Sequence, residues 1–160
     1  MGARKFSMVS PAVWGSKRFM TLPTTEAKLL YHYFLTCEHI TSAGAYRVKE
    51  GYALADLGWP AQQYQKAVQA LQAADLVAYD AEFETVYVKR WFQHNPPMNE
   101  RHAQGCRRMI LELDSQVIAE LAMIDFEEAD SRRNPLPDPP RPSLVSPGLR
   151  QQLASGGTKW

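Results

Sequence analysis

The sequence lacks the features of membrane-spanning, secreted and disulfide-bonded proteins. No run of about 18 apolar residues occurs in the 160-residue chain, so no membrane span is predicted. The first ten residues include Arg4 and Lys5 but no long apolar segment, which argues against a secretory signal. The two cysteines, Cys37 and Cys106, lie too far apart to suggest a disulfide framework. These absences predict a cytoplasmic protein in a reducing compartment.

Signatures of enzymes and metal sites are also missing. The chain has no phosphate-cradling glycine-rich loop, no His-Glu-x-x-His sequence and no Gly-x-Ser-x-Gly sequence. Cys37 with His39, and His102 with Cys106, are ligand-type pairs. Cys-x-His is not a usual zinc half-site, however, and Cys37 falls on an apolar helical stripe. The sequence therefore predicts a protein that is not an enzyme and holds neither metal nor cofactor.

Charge is balanced over the whole chain but is unevenly distributed. Apolar residues make up 45% of the chain and charged residues 22%, which is enough for an ordinary globular core. The net charge is +1, yet residues 1–110 carry 13 Lys and Arg against 9 Asp and Glu, whereas residues 111–160 carry 5 against 8. The first part can meet a polyanion, although its charge alone does not establish such a partner.

Composition divides the chain into three parts. Residues 1–99 are predicted to form a domain onto which the apolar N-terminal segment packs. Residues 100–130 are predicted to be a helical extension, split near Ser115, which can cap its second half. That half carries an apolar stripe made of Val117, Ile118, Leu121, Ala122, Ile124 and Phe126. Residues 131–160 contain six prolines and are predicted to be a disordered tail.

Hydrophobic spacing and turn residues define the elements of the first domain. The predicted elements are helix 24–38, strand 45–48, helix 52–57, helix 60–74, strand 76–79 and strand 85–92. Thr24 is a candidate N-cap, and Gly58 is placed to stop the second helix. The order predicts an α+β, mainly α fold: a winged helix-turn-helix with a small β-hairpin wing, followed by C-terminal helices and a disordered proline-rich tail.

Three stretches carry a resemblance to a known family. They are Ala43-Gly44-Ala45-Tyr46-Arg47-Val48, Val68-Gln69-Ala70-Leu71-Gln72-Ala73-Ala74-Asp75-Leu76-Val77 and Arg90-Trp91-Phe92-Gln93-His94-Asn95. These stretches resemble the N-terminal winged-helix domain of phage and prophage replication initiators, the replisome-organiser or DnaD-like group. The resemblance spans residues 5–100 and implies duplex DNA binding during replication of a mobile element. Two departures are Asp75, where the family usually has glycine, and the acids of the wing.

The third helix of the domain is the predicted reader of DNA bases. In helix-turn-helix proteins this element enters the major groove and uses its early residues. Glutamine pairs bidentately with adenine, and lysine contacts guanine or phosphate. The residues predicted to do so here are Gln62, Gln63, Gln65, Lys66 and Gln69. The alternative is a solvated helix face, since glutamine is a good helix former.

Basic residues outside that helix are candidates for phosphate contacts. They are Lys89, Arg90, Arg101, Arg107 and Arg108, with a further basic arm within residues 4–18. Their alternative interpretation is solvated surface charge. The wing carries Asp80, Glu82 and Glu84, which would repel phosphates. The sequence therefore favours a contact led by the helix over a grip by helix and wing together.

Three functions stay open at this point. The first is a replisome organiser that binds double-stranded DNA; the resemblance implies that its C-terminal region forms a homodimer or recruits a host helicase or helicase loader. The second is a winged-helix transcription regulator. The third is a phage protein-interaction module that does not bind DNA, which the acidic wing favours.

Overall fold

The computed structural model describes residues 6–133. Its elements are a 3-10 helix Pro11–Gly15, α1 Lys17–Met20, α2 Thr25–Thr36, β1 Ala45–Arg47, α3 Glu50–Leu57, α4 Ala61–Ala73, β2 Val77–Asp80, β3 Thr85–Val88, α5 Trp91–His94, α6 Glu100–Leu111 and α7 Gln116–Arg133. The predicted α+β, mainly helical class is confirmed. Within residues 6–133, no helix combines the length and the apolar character that a bilayer crossing needs.

The three strands form one antiparallel sheet in the order β1-β3-β2. Strand β3 lies in the centre, with Tyr87 opposite both Ala45 of β1 and Ala78 of β2. All four residues of β3 are buried, because helices cover both faces of the sheet. The sheet is therefore the middle layer of three, since successive side chains of a strand point to opposite faces.

Helices α2 and α4 cover the first face of the sheet. The hydroxyl of Tyr46 in β1 donates to the carbonyl oxygen of Phe34 in α2 at 2.6 Å. The ring of Tyr79 in β2 lies edge-on to Tyr64 in α4, with centroids 6.3 Å apart. These contacts tie α2 and α4 to the two edge strands, β1 and β2 respectively.

Helix α7 covers the second face. The hydroxyl of Tyr87 in β3 donates to the carboxylate of Asp125, and Phe126 packs edge-on against Phe92 with centroids 5.3 Å apart. The buried residues of α7 recur at helical spacing. Ile118, Ala122 and Phe126 are fully buried, and Ala129 is nearly buried. Helix α6 packs against α7 in this same layer. The helical extension thus shares the hydrophobic core of the sheet.

The predicted helix ends are confirmed at three positions. The Oγ1 atom of Thr24 accepts from the backbone N–H of Ala27 at 3.1 Å. Gly58 ends α3 in the left-handed conformation, with φ of 66°. Buried Ser115 accepts from the N–H of Ile118 at 3.2 Å and so caps α7.

The predicted strand over residues 85–92 is too long. Strand β3 ends at Val88, and Arg90 has a φ of 61°, which turns the chain into α5. Trp91 and Phe92, expected on the strand, are buried residues of this short helix. The spacing of the aromatic residues fits a strand as well as a helix. The left-handed turn at Arg90 therefore decides that a helix forms here.

The predicted apolar stripe of α7 is only half buried. Val117, Leu121 and Ile124 are exposed to 64%, 38% and 68%, whereas Ile118 lies in the core. Apolar residues surround most of this helix, so their spacing alone selects no unique buried face. The helix also continues to Arg133, three residues into the predicted tail; residues 134–160 lie outside the described part of the chain.

Gly44 joins two of the stretches that carry the family resemblance. Its φ is 66°, and a Cβ atom at this position would lie 2.7 Å from Trp91 Cβ and closer still to the indole ring. The indole N–H of Trp91 donates to the carbonyl of Ser42 at 2.8 Å. Glycine is therefore required here both for its backbone conformation and for the close approach of Trp91.

Candidate nucleic-acid interface

Helix α4 presents one polar face to solvent. Pro60 precedes the helix, and the left-handed turn at Gly58 sets its direction after α3. Its buried residues are Tyr64, Ala67, Val68 and Leu71. The opposite side carries the predicted base-reading residues, of which Gln62, Gln65, Lys66 and Gln69 are exposed and Gln63 is half-buried. The structure therefore places the predicted set on one accessible surface.

Helix α4 itself contributes no acidic side chain to this face. The 13 residues of α4 include one lysine and no Asp or Glu. Gln65 Nε2 donates to Glu50 Oε1 of α3 at 3.4 Å. Within residues 6–133, the side chains of Gln62, Lys66 and Gln69 make no hydrogen bond or ion pair. Their polar groups are available to a ligand.

Three cations converge on the carboxylate of Asp75 just after α4. Lys89 Nζ contacts Asp75 Oδ1, while Arg18 Nη1 and Arg90 Nη2 lie 3.5 Å and 3.7 Å from Oδ2. Arg18 also donates to the carbonyl oxygen of Asp75 at 2.8 Å. The hydrogen bond from Lys89 is the main cause that lowers the pKa of Asp75 below its usual value. We call this group the Asp75 cluster.

The backbone at Asp75 explains why its position favours glycine. Asp75 has a φ of 56°, in the left-handed region that L-residues rarely enter. Aspartate tolerates this region better than most side chains, because its short polar group bonds locally. Asp75 thus adopts the turn that a glycine would allow, and it also provides a carboxylate that binds Lys89.

The predicted phosphate contacts are not brought together with α4. Lys89 and Arg90 belong to the Asp75 cluster, at the end of the sheet. Arg107 lies 3.4 Å from Glu127, and Arg108 lies 4.0 Å from Glu112. These arginines and the exposed Arg101 stand on α6, across the sheet from α4.

Two of the three acids of the predicted wing bind the rest of the protein. The hydroxyl of Ser115 donates to Asp80 Oδ2 at 2.6 Å, and this bond lowers the pKa of Asp80. Glu84 accepts from the backbone N–H of Glu50 at 3.0 Å and lies 3.7 Å from Arg47. The turn between β2 and β3 is therefore held from both faces of the sheet.

An aromatic stack near the start of α3 was missed by the sequence analysis. The rings of His39 and Tyr52 lie 5.4 Å apart at an angle of 17°, and Lys49 Nζ lies 5.9 Å from the Tyr52 centroid. Tyr52 is half-exposed and Lys49 is exposed. No spacing in the sequence indicates this contact, because His39 follows α2 whereas Tyr52 lies in α3. Lys49 adds a cation on the side of α3, next to α4.

The aromatic side chains of α2 and α5 mostly belong to the core. Phe34, Trp91 and Phe92 are buried, and Tyr33 is half-buried, with its hydroxyl donating to Asp56 at 2.8 Å. Among residues 6–133, no group of three or more His, Cys, Asp and Glu side chains is placed to hold a metal ion. Comparison with protein-family models, with curated proteins and with solved structures found no match to this chain.

Proposed function

We propose that this chain binds duplex DNA through the exposed face of α4 and acts in initiation of phage or prophage DNA replication. The observation that carries the proposal is a helix whose solvent face offers glutamines and Lys66 without a carboxylate. The order α2, β1, α3, α4, β2, β3 supports the proposal, because it agrees with the order expected of a winged helix-turn-helix, in which α4 would be the recognition helix. The replication role rests on the family resemblance.

The dimensions and chemistry of α4 suit the major groove. An α-helix is about 10–12 Å across and the groove about 12 Å wide. Gln62 and Gln69 would offer bidentate contacts to adenine, and Lys66 would contact guanine or phosphate. Lys49, on the neighbouring helix end, would add a phosphate contact. The wing, held by Ser115 and Glu50, would stay out of the groove.

A duplex-binding titration at several salt concentrations tests the proposal, with a library of genomic fragments. We expect affinity to fall steeply with salt, because neutralised phosphates release counterions. Lys66→Ala should reduce the slope of log K against log salt by roughly 1. Arg108→Ala is the matched control: it removes the same charge from the far side of the sheet and should leave the slope unchanged. Absence of duplex binding at low salt would overturn the proposal.

A protein-interaction module that does not bind DNA is the second candidate. Four of the five predicted phosphate contacts already lie near carboxylates: Lys89, Arg90, Arg107 and Arg108. The exposed apolar residues of α7 offer a surface for a protein partner, such as a helicase loader or a second copy. Loss of all duplex binding, together with formation of a defined protein complex, would favour this candidate.

The titration also separates replication from transcription control. Selected fragments from an origin region would favour a replication initiator. Selected fragments from promoter regions would favour a winged-helix regulator, which uses the same helix in the same groove.

A further inference from the structure

A cavity of about 270 Å³ lies between the N-terminal segment and the body of the protein. The 3-10 helix contributes Val13, α2 contributes Tyr31 and Leu35, and α5 contributes Trp91. Some of its lining residues, such as Phe19 and Val88, are buried, whereas others, such as Met8, are exposed. The volume is close to the lower end of the roughly 300–1,000 Å³ range of small-molecule pockets.

The wall of this cavity is positively charged on one side. Arg18, Lys89 and Arg90 line it, and all three contact Asp75, so they stand together. Three cations share one carboxylate, which leaves an excess of two positive charges. Among the described residues, no Asp or Glu lines the cavity itself.

Two further polar side chains stand at the same cavity. His94 and Asn95, which end α5, both line it, and Asn95 Nδ2 donates to the carbonyl of Trp91 at 3.3 Å. Ligand sites combine an apolar lining with a few convergent polar groups that fix orientation. The cavity has this combination, with its cations at one side of an aliphatic and aromatic chamber.

We infer that this cavity binds a small amphipathic carboxylate. The apolar body would lie against Leu35, Phe19 and Trp91, where it leaves water. The carboxylate would lie at Arg18 and Lys89, which then share their charge between the ligand and Asp75. The body can be an alkyl chain or an aromatic ring system, since both kinds of side chain line the chamber. The inference concerns a different surface from the exposed face of α4.

Calorimetric titration of the full chain with octanoate and with 2-naphthoate tests this inference and distinguishes the two kinds of body. Octan-1-ol and 2-naphthalenemethanol are the uncharged analogues of the two carboxylates, and octylamine carries the alkyl body with the opposite charge. We expect at least one carboxylate to bind at least roughly tenfold more tightly than its uncharged analogue, and octylamine to bind no more tightly than octan-1-ol. Equal affinity for a carboxylate and its uncharged analogue, or no binding of either carboxylate, would overturn the inference.

Variants locate the site. Lys89→Gln should weaken carboxylate binding roughly tenfold, whereas Lys17→Gln, a control at an exposed position of α1, should not change it. Leu35→Trp should fill the chamber and abolish binding; Leu29→Trp, on the exposed side of α2, is its control. Val13→Trp serves the same purpose on the peripheral 3-10 helix if Leu35→Trp does not fold. Binding that survives a folded chamber-filling variant would place the ligand elsewhere.

The titration contains no DNA, so its outcome is independent of the duplex-binding assay. Failure of carboxylate binding would leave the α4 proposal standing. Failure of duplex binding would leave the cavity as the ligand site of a protein with another function.

Discussion

The guanidinium of Arg90 lies 3.7 Å from the carboxylate of Asp75, and both residues have a left-handed backbone, with φ of 61° and 56°. Asp75 follows α4 and Arg90 precedes α5. Their ion pair therefore joins two turns that each have an unfavourable backbone conformation. A left-handed conformation costs roughly 1–2 kcal/mol for an L-residue. Half-exposed ion pairs are individually weak, and three of them act on one carboxylate here.

Replacement of Asp75 separates the backbone contribution from the charge contribution. Asp75→Ala and Asp75→Gly both remove the ion pairs, but only alanine keeps a Cβ atom at positive φ. We expect Asp75→Ala to be less stable than Asp75→Gly by about 1 kcal/mol in the free energy of unfolding measured with urea. Equal stability of the two variants would contradict a left-handed turn at this position.

The Asp75 cluster also predicts how stability depends on pH. The pKa of Asp75 is lowered in the folded protein, so its carboxylate stabilises the fold above the usual pKa of 3.8. That contribution is lost as the pH falls through the lower folded pKa. We expect the stability gap between the natural protein and Asp75→Asn to be constant from about pH 5 to 7 and to shrink below about pH 4.

Urea unfolding at a series of pH values measures this gap. Lys89→Met removes the main partner of Asp75 and should show the same pH window. A gap that stays constant down to about pH 2 would show that Asp75 contributes nothing through its charge.

Gly44→Ala tests the contact between the turn before β1 and Trp91 of α5. The new methyl group would overlap the ring of Trp91 and would also impose positive φ on alanine. Gly58→Ala is the control: it has the same φ of 66° but open space around the added carbon. We expect a loss of about 1–2 kcal/mol for Gly58→Ala and a substantially larger loss for Gly44→Ala, measured by thermal or urea unfolding. Similar losses would contradict the close approach of Trp91.

Ser115→Ala tests how firmly α7 and the turn between β2 and β3 are joined. Ser115 is fully buried, caps α7 and donates to Asp80. We expect a loss of about 1–2 kcal/mol, larger than that of Asn99→Ala, which removes the exposed cap of α6. A double-mutant cycle with Asp80→Ala, which removes the acceptor, should show coupling between the two side chains. Independent effects would mean that the hydrogen bond does not hold the turn.

Gln62→Ala tests base reading by α4 separately from phosphate contact. If Gln62 pairs with a base, its loss should relax sequence preference at one position by about 1–3 kcal/mol while the salt slope stays unchanged. Selection from randomised duplexes measures the preference. Gln72→Ala is a control, since Gln72 Oε1 already accepts from the N–H of Tyr79 at 3.0 Å. A uniform loss of affinity across sequences would contradict base reading by Gln62.

Local signals predicted most elements of the first domain. Thr24, Gly58 and Ser115 act at short range, by capping helix ends, and each stands where its residue type suggested. The polar face of α4 was likewise visible, because its period of 3.6 residues separates Tyr64 from Gln62 without help from other elements.

Long-range relationships were not visible in the sequence. Arg18 meets Asp75 across 57 positions, and no local pattern indicates that Lys89 and Arg90, the predicted phosphate contacts, lie beside the same carboxylate. The end of β3 depended on the left-handed turn at Arg90, which aromatic spacing does not encode. The exposed stripe of α7 was ambiguous because apolar residues occur on several of its sides.

The cover that α7 provides has a consequence for the synthesis of this protein. On the ribosome, residues 1–99 emerge before α7 exists, so the face of the sheet that carries Tyr87, and Phe92 beside it, meets water first. Exposed apolar surface of this kind makes incomplete chains prone to aggregation. A shortened protein made to study α4 alone should therefore retain residues through the end of α7. Without α7, it would expose the same apolar face of the sheet that the incomplete chain exposes on the ribosome.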